Sequence, residues 1–288
     1  MVTGLFFPSL GRAETDPRDY ALGLAPNHTN VFIMYARHQT SADSQNYVRN
    51  TAIFRYLHLL KFGNLAIVPL DVLVPVVDAQ VYLPGQGGQG TTTLHGSGMG
   101  DLSYLPTIGY AIKWSEKDFT YFVFSSYLRA PTGNYDPRRP VNVGTNRWTF
   151  DEQAGIGHRF LGMFLVEAVG AAIFYTKNDD YILPGTSRRV SLQQRPTFNG
   201  TVHASMDISK EIWLGASYHY FRNGRVAASG PEGELTATDR QSIQSIRATV
   251  GLRPVEPLQV LLQYQTDIVA TRGATISRFV GLRLSYRF

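Results

Sequence analysis

Ser277-Arg278-Phe279-Val280-Gly281-Leu282-Arg283-Leu284-Ser285-Tyr286-Arg287-Phe288 closes the chain, and its two interleaved halves suit different solvents. Counting back from Phe288 in steps of two gives Tyr286, Leu284, Leu282 and Val280, whereas the intervening set is Arg287, Ser285, Arg283, Gly281 and Phe279. In a β-strand successive side chains point to opposite sides, so a period of two puts each set on its own face. A strand that is greasy on one face, mostly polar on the other and finished by an aromatic residue fits a membrane barrel whose apolar side chains meet lipid.

The pattern recurs. In Thr197 to Ile208, Phe198, Val202, Ala204, Met206 and Ile208 alternate with Thr197, Asn199, Thr201, His203, Ser205 and Asp207. Leu214, Ala216, Tyr218 and Tyr220 alternate with Trp213, Gly215, Ser217 and His219. Ile246, Ala248 and Val250 alternate with Arg247 and Thr249, and Val260, Leu262 and Tyr264 with Gln259, Gln263 and Gln265. A helix would scatter those polar groups around its circumference, so the segments read as strands.

The composition permits this reading. Across 288 residues the hydrophobic content is 43% and the mean hydropathy is -0.13. No apolar run approaches the roughly 18 residues of a spanning helix, so any crossing falls to strands. The chain has no cysteine, which removes disulfide and thiol chemistry. A net charge of +5, with Arg and Lys scattered, gives no nucleic-acid footprint. Met1 to Leu5 has neither a charged start nor a long apolar core, so the export signal of such a barrel is expected to be missing from this chain.

Twelve strands are expected, near 29–42, 48–62, 65–82, 99–114, 119–131, 147–160, 163–178, 190–208, 211–223, 239–253, 257–270 and 274–288. An even count suits a single-chain bacterial barrel with both ends in the periplasm. Tight turns fall at Lys61–Asn64, Ser115–Asp118, Leu161–Gly162, Ser209–Lys210 and Pro254–Pro257. Long loops fall at Leu83–Gly98, Thr132–Asn146, Asp179–Arg189 and Gly224–Thr238. With Phe288 at the periplasmic rim, every tight turn lands on that side and every long loop outside. The expected architecture is therefore an all-β, twelve-stranded antiparallel outer-membrane barrel of meander topology over 29–288. Residues 1–28, with Pro8, Pro17 and Pro26, form an irregular tail or a plug in the lumen. Pro69, Pro75 and the opposite parity of Asp71 and Asp78 predict a bulge in the third strand. Gly85 to Thr93 is a low-complexity loop. Phe160, Phe164 and Phe288 near one rim, and Tyr104, Phe150, Phe198 and Tyr220 near the other, are expected to form aromatic girdles.

Several spaced motifs occur in order: Ser97–Leu105 (SGMGDLSYL), Leu128–Asn146 (LRAPTGNYDPRRPVNVGTN) running into Arg147-Trp148-Thr149-Phe150, Asn178-Asp179-Asp180, and Asp239-Arg240-Gln241-Ser242. From about Asn30 to Phe288 the chain resembles the outer-membrane transporter family associated with the MetA pathway of phenol degradation. The resemblance implies a barrel that passes small hydrophobic, often aromatic, compounds.

On the inward parity the sequence collects Arg55, Asp151, Gln153, Arg159, Glu167, His203, Asp207, His219, Arg247, Arg253, Gln263, Asp267, Arg283 and Arg287. These either line a wet pore or fill the interior as a paired network. Strands five and seven are apolar on both faces, which predicts a hydrophobic path in the extracellular half through Tyr121, Val123, Val169, Ile173, Tyr175, Phe221 and Phe279. Gly155, Gly157 or Gly170 could thin the wall for a lateral exit. The expected function is passive uptake of small hydrophobic, aromatic compounds across the bacterial outer membrane, without a catalytic step or cofactor. Expected partners are outer-membrane lipid, lipopolysaccharide and the solute, with a monomer favoured. One alternative is an anion-preferring porin, from Arg247, Arg253, Arg283 and Arg287 on one wall. Another is a phospholipase-like enzyme, from His203 and Ser205 with Asp207. Asn134, Asp136, Asp179 and Asp180 offer weak oxygen ligands for calcium.

Overall fold

In a computed structural model the alternating segments pair edge to edge until the last meets the first. The structure describes residues 15–22, 25–41, 47–84, 91–183, 186–271 and 274–288. The strands in chain order are β1 (Thr29–Ser41), β2 (Tyr47–Phe62), β3 (Leu65–Pro84), β4 (Thr91–Met99), β5 (Ser103–Tyr104), β6 (Thr107–Lys113), β7 (Phe119–Arg129), β8 (Thr149–Phe160) and β9 (Phe164–Tyr175). They continue with β10 (Asn178–Ile182), β11 (Arg189–Gln194), β12 (Thr197–Asp207), β13 (Ile212–Arg222), β14 (Val226–Gly230), β15 (Gly233–Thr238), β16 (Ser242–Val255), β17 (Leu258–Ala270) and β18 (Ser277–Arg287). Because β4, β5 and β6 share one traverse, the barrel has twelve antiparallel staves. Phe32 pairs with Tyr286 and Met34 with Leu284. Asn30 and Phe288 exchange backbone hydrogen bonds of 3.0 and 2.9 Å, which closes the seam.

The two faces sort as the pleat requires. Val280 and Tyr286 are exposed, Leu282 and Leu284 are half-exposed, and Phe279, Arg283 and Ser285 are buried inside. Among the described residues no helix is long and apolar enough to cross a membrane. Of the girdle residues, Tyr104, Phe150, Phe198, Tyr220 and Phe288 are exposed, while Phe160 stacks on Phe164 with ring centroids 5.5 Å apart. At the tight turn after β8, Leu161 and Gly162 both take positive φ, 53° and 63°, and Met163 N donates to Phe160 O. Two consecutive left-handed residues make the mirror-image turn whose twist matches a hairpin.

The bulge expected in β3 is present at Pro69, where pairing steps from His58 opposite Leu70 to Leu60 opposite Ile67. Asp71 is buried, whereas Asp78 faces out and meets His95 Nε2 at 2.6 Å beyond the lipid-spanning part of a 20-residue strand. The segments Asp179–Arg189 and Gly224–Thr238 are not plain loops: β10, β11, β14 and β15 form a separate four-stranded sheet outside the barrel. Of Leu83–Gly98, most is strand, and residues 85–90 lie outside the described residues, as do 1–14.

Nor do Gly155 and Gly157 open the wall. A Cβ at Gly157 would lie 2.3 Å from the ring of its cross-strand partner Tyr121, and one at Gly155 would lie 3.0 Å from Val123. Gly251 is covered in the same way by its partner Trp213, with a built Cβ only 2.0 Å from the indole. The glycines let large rings lie flat on the inner wall, a packing that compensates the missing side chain. Gly251→Ala and Gly157→Ala should therefore each cost about 1–3 kcal/mol by overpacking, read as a lower urea midpoint for loss of the heat-modifiable barrel band. Unchanged midpoints would contradict this wall packing.

Candidate functional site

Residues 15–22 run inside the barrel, and their charges explain where. Asp16 is buried; it accepts from Arg247 Nη1 at 2.8 Å, Gln263 Nε2 at 3.0 Å and Arg283 Nη1 at 3.2 Å, with Arg37 Nη2 at 3.8 Å. Asp19 pairs with Arg283 as well. Arg18 donates through Nη1 to Asp207 at 2.7 Å and through its backbone N–H to Glu167 at 2.8 Å, and its guanidinium lies 4.3 Å over the Trp213 ring. Arg159 holds the other oxygen of Asp207 at 2.6 Å. Tyr20 donates to Gln153, and Tyr121 to Glu167. Opposite charges thus meet across the lumen, where a lone buried charge would be costly.

Most of the polar wall residues singled out in the sequence are inside this floor or beside it. His203 bonds Thr15 Oγ1 at 3.0 Å and Ser217 Oγ at 2.7 Å, and His219 bonds Thr201 at 3.1 Å. Asp267 accepts from Ser245 at 2.6 Å and from the Ser277 hydroxyl at 2.8 Å. Asp151 accepts from Gln153. Arg55 pairs with Asp71 at 2.6 Å and reaches the Tyr35 hydroxyl at 3.1 Å. Arg253 is half-buried near the periplasmic turn, and Arg287 meets Glu256 at 3.1 Å. The arginine wall that suggested an anion pore is therefore largely countered, with Asp16 and Asp19 on Arg247 and Arg283 and Glu256 on Arg287. Ser205 accepts from Arg18 Nε at 3.0 Å, while the two ring nitrogens of its expected base His203 face Thr15 and Ser217. Among the described residues no three His, Asp or Glu side chains gather as a metal site. Asp136 faces Arg138 and Arg139, Asp180 faces Arg189, Asp179 is exposed, and Asn134 accepts from the Met99 amide.

Above the floor is a cavity of about 1200 Å³ opening toward the extracellular end. Phe221 and Phe279, from the expected hydrophobic path, line it. Tyr121, Val123 and Val169 do not lie in the extracellular half: β7 starts at the periplasmic turn, and these three pack beneath Tyr20 and Ala21 in a dry cluster. Ile173 is buried and Tyr175 half-buried in the outer part of β9. The sequence reading missed the wall on the far side of the cavity, residues 130–148, which fold inward. Val141 and Val143 bury themselves against Val77, Ala79 and Val81 of β3. Asp101 clasps the loop by accepting from Gly133 N at 2.9 Å, Thr145 N at 2.9 Å and Thr145 Oγ1 at 2.6 Å. Gly133 and Gly144 touch backbone to backbone, where a Cβ on Gly144 would come within 2.6 Å. The alternating valines in a Pro- and Gly-rich stretch were the available signal.

Asp16 belongs to no strand. Burial alone would raise its carboxyl, but the guanidiniums of Arg247, Arg37 and Arg283 and the Gln263 hydrogen bond outweigh it and hold Asp16 below the usual carboxylate range. A depressed folded-state value means that its contribution is fully present above the unfolded value of about 3.9 and is lost only as pH falls through the lower folded one. Asp16→Asn should release residues 15–22, raising the ionic conductance of the barrel in planar bilayers at pH 7 and exposing the segment to protease. Wild type should show the same change only in strong acid. A variant with wild-type current and protection would contradict the latch.

Comparison with known proteins gives the chain its relatives. A family model described as "Putative MetA-pathway of phenol degradation" matches residues 35–288. No curated protein shows significant similarity. An outer-membrane channel from Pseudomonas putida F1 shares the fold at 24% identity and a TM-score of 0.80, with 96% of this chain and 100% of that one covered. The β domain of the Bordetella autotransporter BrkA superposes at a TM-score of 0.52 and 11% identity, with 91% and 100% covered. With a family match over most of the barrel and a closed twelve-stave fold, the chain belongs to the family of outer-membrane β-barrels described as the putative MetA-pathway of phenol degradation.

Proposed function

We propose that this barrel is a passive channel that admits small hydrophobic, aromatic compounds across the outer membrane and performs no catalytic step. The observation that carries the reading is the cavity of about 1200 Å³ with Tyr35, Tyr127, Tyr135, Phe221 and Phe279 among its walls, bounded on one side by an inward loop and floored by residues 15–22. Small-molecule sites are concave, largely apolar and supplied with a few placed polar groups, which this lining matches. The family's association with phenol degradation, and the channel from Pseudomonas putida F1 that shares the fold, point the same way. The barrel acts as a monomer, with acyl chains around its apolar belt and lipopolysaccharide around its outer rim. The charge-paired floor argues against a wide water-filled pore, because its arginines are spent on Asp16, Asp19 and Asp207 rather than offered to passing ions.

Uptake into porin-depleted Gram-negative cells tests this, since an intact lipopolysaccharide leaflet keeps background entry low. Cells expressing the protein should accumulate phenol and toluene faster than control cells, with no gain for arabinose or sucrose. Faster sugar entry with unchanged aromatic entry would contradict the proposal in favour of a polar porin.

A further inference from the structure

Two arginines on the cavity wall stand apart from the charge-paired floor. Arg129 ends β7 and Arg147 precedes β8, so both rise from one corner of the barrel mouth, and both line the cavity. Among the described residues neither forms an ion pair. Arg129 lies with its guanidinium 5.8 Å over the ring of Tyr127, itself part of the cavity wall. Arg147 is only 7% exposed, donates through Nη2 to Gln194, and lies 4.4 Å over the ring of Tyr175. Its Nη1 is buried without a hydrogen-bond partner.

Two carboxylates share the neighbourhood, and both are turned elsewhere: Asp101 to Gly133 and Thr145, Asp151 to Gln153. Burial, helped by the nearby charge of Arg129 and opposed by Tyr175 and Asp101, pulls Arg147 down to about 10, so it remains a cation at neutral pH. A buried donor left unpaired is expensive, and two neighbouring cations whose guanidiniums no carboxylate bonds attract an anion. Guanidinium is planar and matches a carboxylate with paired hydrogen bonds. The residue is also held in place: the Asp101 clasp fixes Thr145, and Asn146 Nδ2 donates to Asn178 at 2.9 Å.

We propose that Arg129 and Arg147 form a carboxylate-binding subsite in the outer cavity, so that the preferred solutes are small aromatic monocarboxylates whose ring lies among Tyr127 and the other aromatic wall residues. This rests on the channel reading and sharpens it. A neutral phenol or hydrocarbon can occupy the ring position but leaves both guanidiniums unanswered. The subsite lies beyond the floor, so the anion is captured at the extracellular mouth, before the paired network is reached.

Benzoate and its neutral near-isostere benzamide are the probes. Isothermal titration of the full chain in detergent should show benzoate binding about tenfold or more tighter than benzamide. Arg129→Met, on the half-buried member, and Arg147→Gln should each remove most of that preference, and Arg147→Lys should keep part of it. Heat-modifiable mobility on gels shows that each variant retains its barrel. Equal binding of the two probes to wild type, or a preference unchanged in both the Met and Gln variants, would overturn the subsite. Cellular uptake separates the two claims. Arginine-dependent benzoate binding without any aromatic uptake would sink the channel reading and leave the subsite standing. Uptake of benzamide and benzoate at equal rates, insensitive to both variants, would sink the subsite and leave the channel.

Discussion

A strand edge inside hydrocarbon has no water to which its backbone can turn, and every feature of this molecule follows from satisfying that constraint. Closure is the only solution for a sheet, so β18 returns to β1 and the terminal Phe288 completes the ladder with Asn30. Once the sheet is closed, the pleat assigns each side chain to lipid or to lumen. The outer face becomes apolar by necessity, and all polar chemistry is driven inward. Proline strains this arrangement at β3, where Pro69 and Pro75 cannot donate. The chain answers with a bulge and with the broken stave β4, β5 and β6, whose Gly100 and Leu105 amides reach back to Pro75 and Asp71.

The lumen then poses the opposite problem, because charges gathered in a confined space must find partners. In the periplasmic half they find them in residues 15–22. Asp16 faces three arginines, and Arg18 bridges Asp207 and Glu167. Room for this segment comes from the glycines at positions 157 and 251, over which Tyr121 and Trp213 lie flat. In the extracellular half the inward loop leaves a cavity with aromatic walls and two arginines that, among the described residues, form no ion pair. The barrel is thus closed chemically at one end and receptive at the other.

The stave pattern was legible in the sequence because the period of two is imposed locally, one residue at a time. The C-terminal strand shows it most clearly, with Leu282 and Leu284 against Arg283 and Ser285. Loop architecture was not legible, since the four-stranded outer sheet depends on two distant segments meeting, with Ser191 opposite Ser229 and Leu192 opposite Ala228. The inward parity of Arg247 and Arg283 could be counted off, but their partner could not, because Asp16 is more than two hundred residues away. For the same reason the arginines behind the alternative of an anion-preferring pore could be seen, but not the Asp16 and Asp19 that face Arg247 and Arg283. Tyr121 and Val123 were read onto the right face but at the wrong depth, since alternation fixes a face and says nothing of what covers it.

The orientation of the two faces is the claim on which the rest stands. The chain has no cysteine, so single cysteines introduced at Leu282, Leu284 and Ser285 can each be spin-labelled in lipid bilayers without background. The account predicts that labels at Leu282 and Leu284 collide readily with membrane-dissolved oxygen and poorly with a water-soluble nickel chelate, whereas the label at Ser285 is shielded from the acyl chains. Oxygen access greatest at Ser285, with Leu282 and Leu284 shielded from lipid, would contradict it.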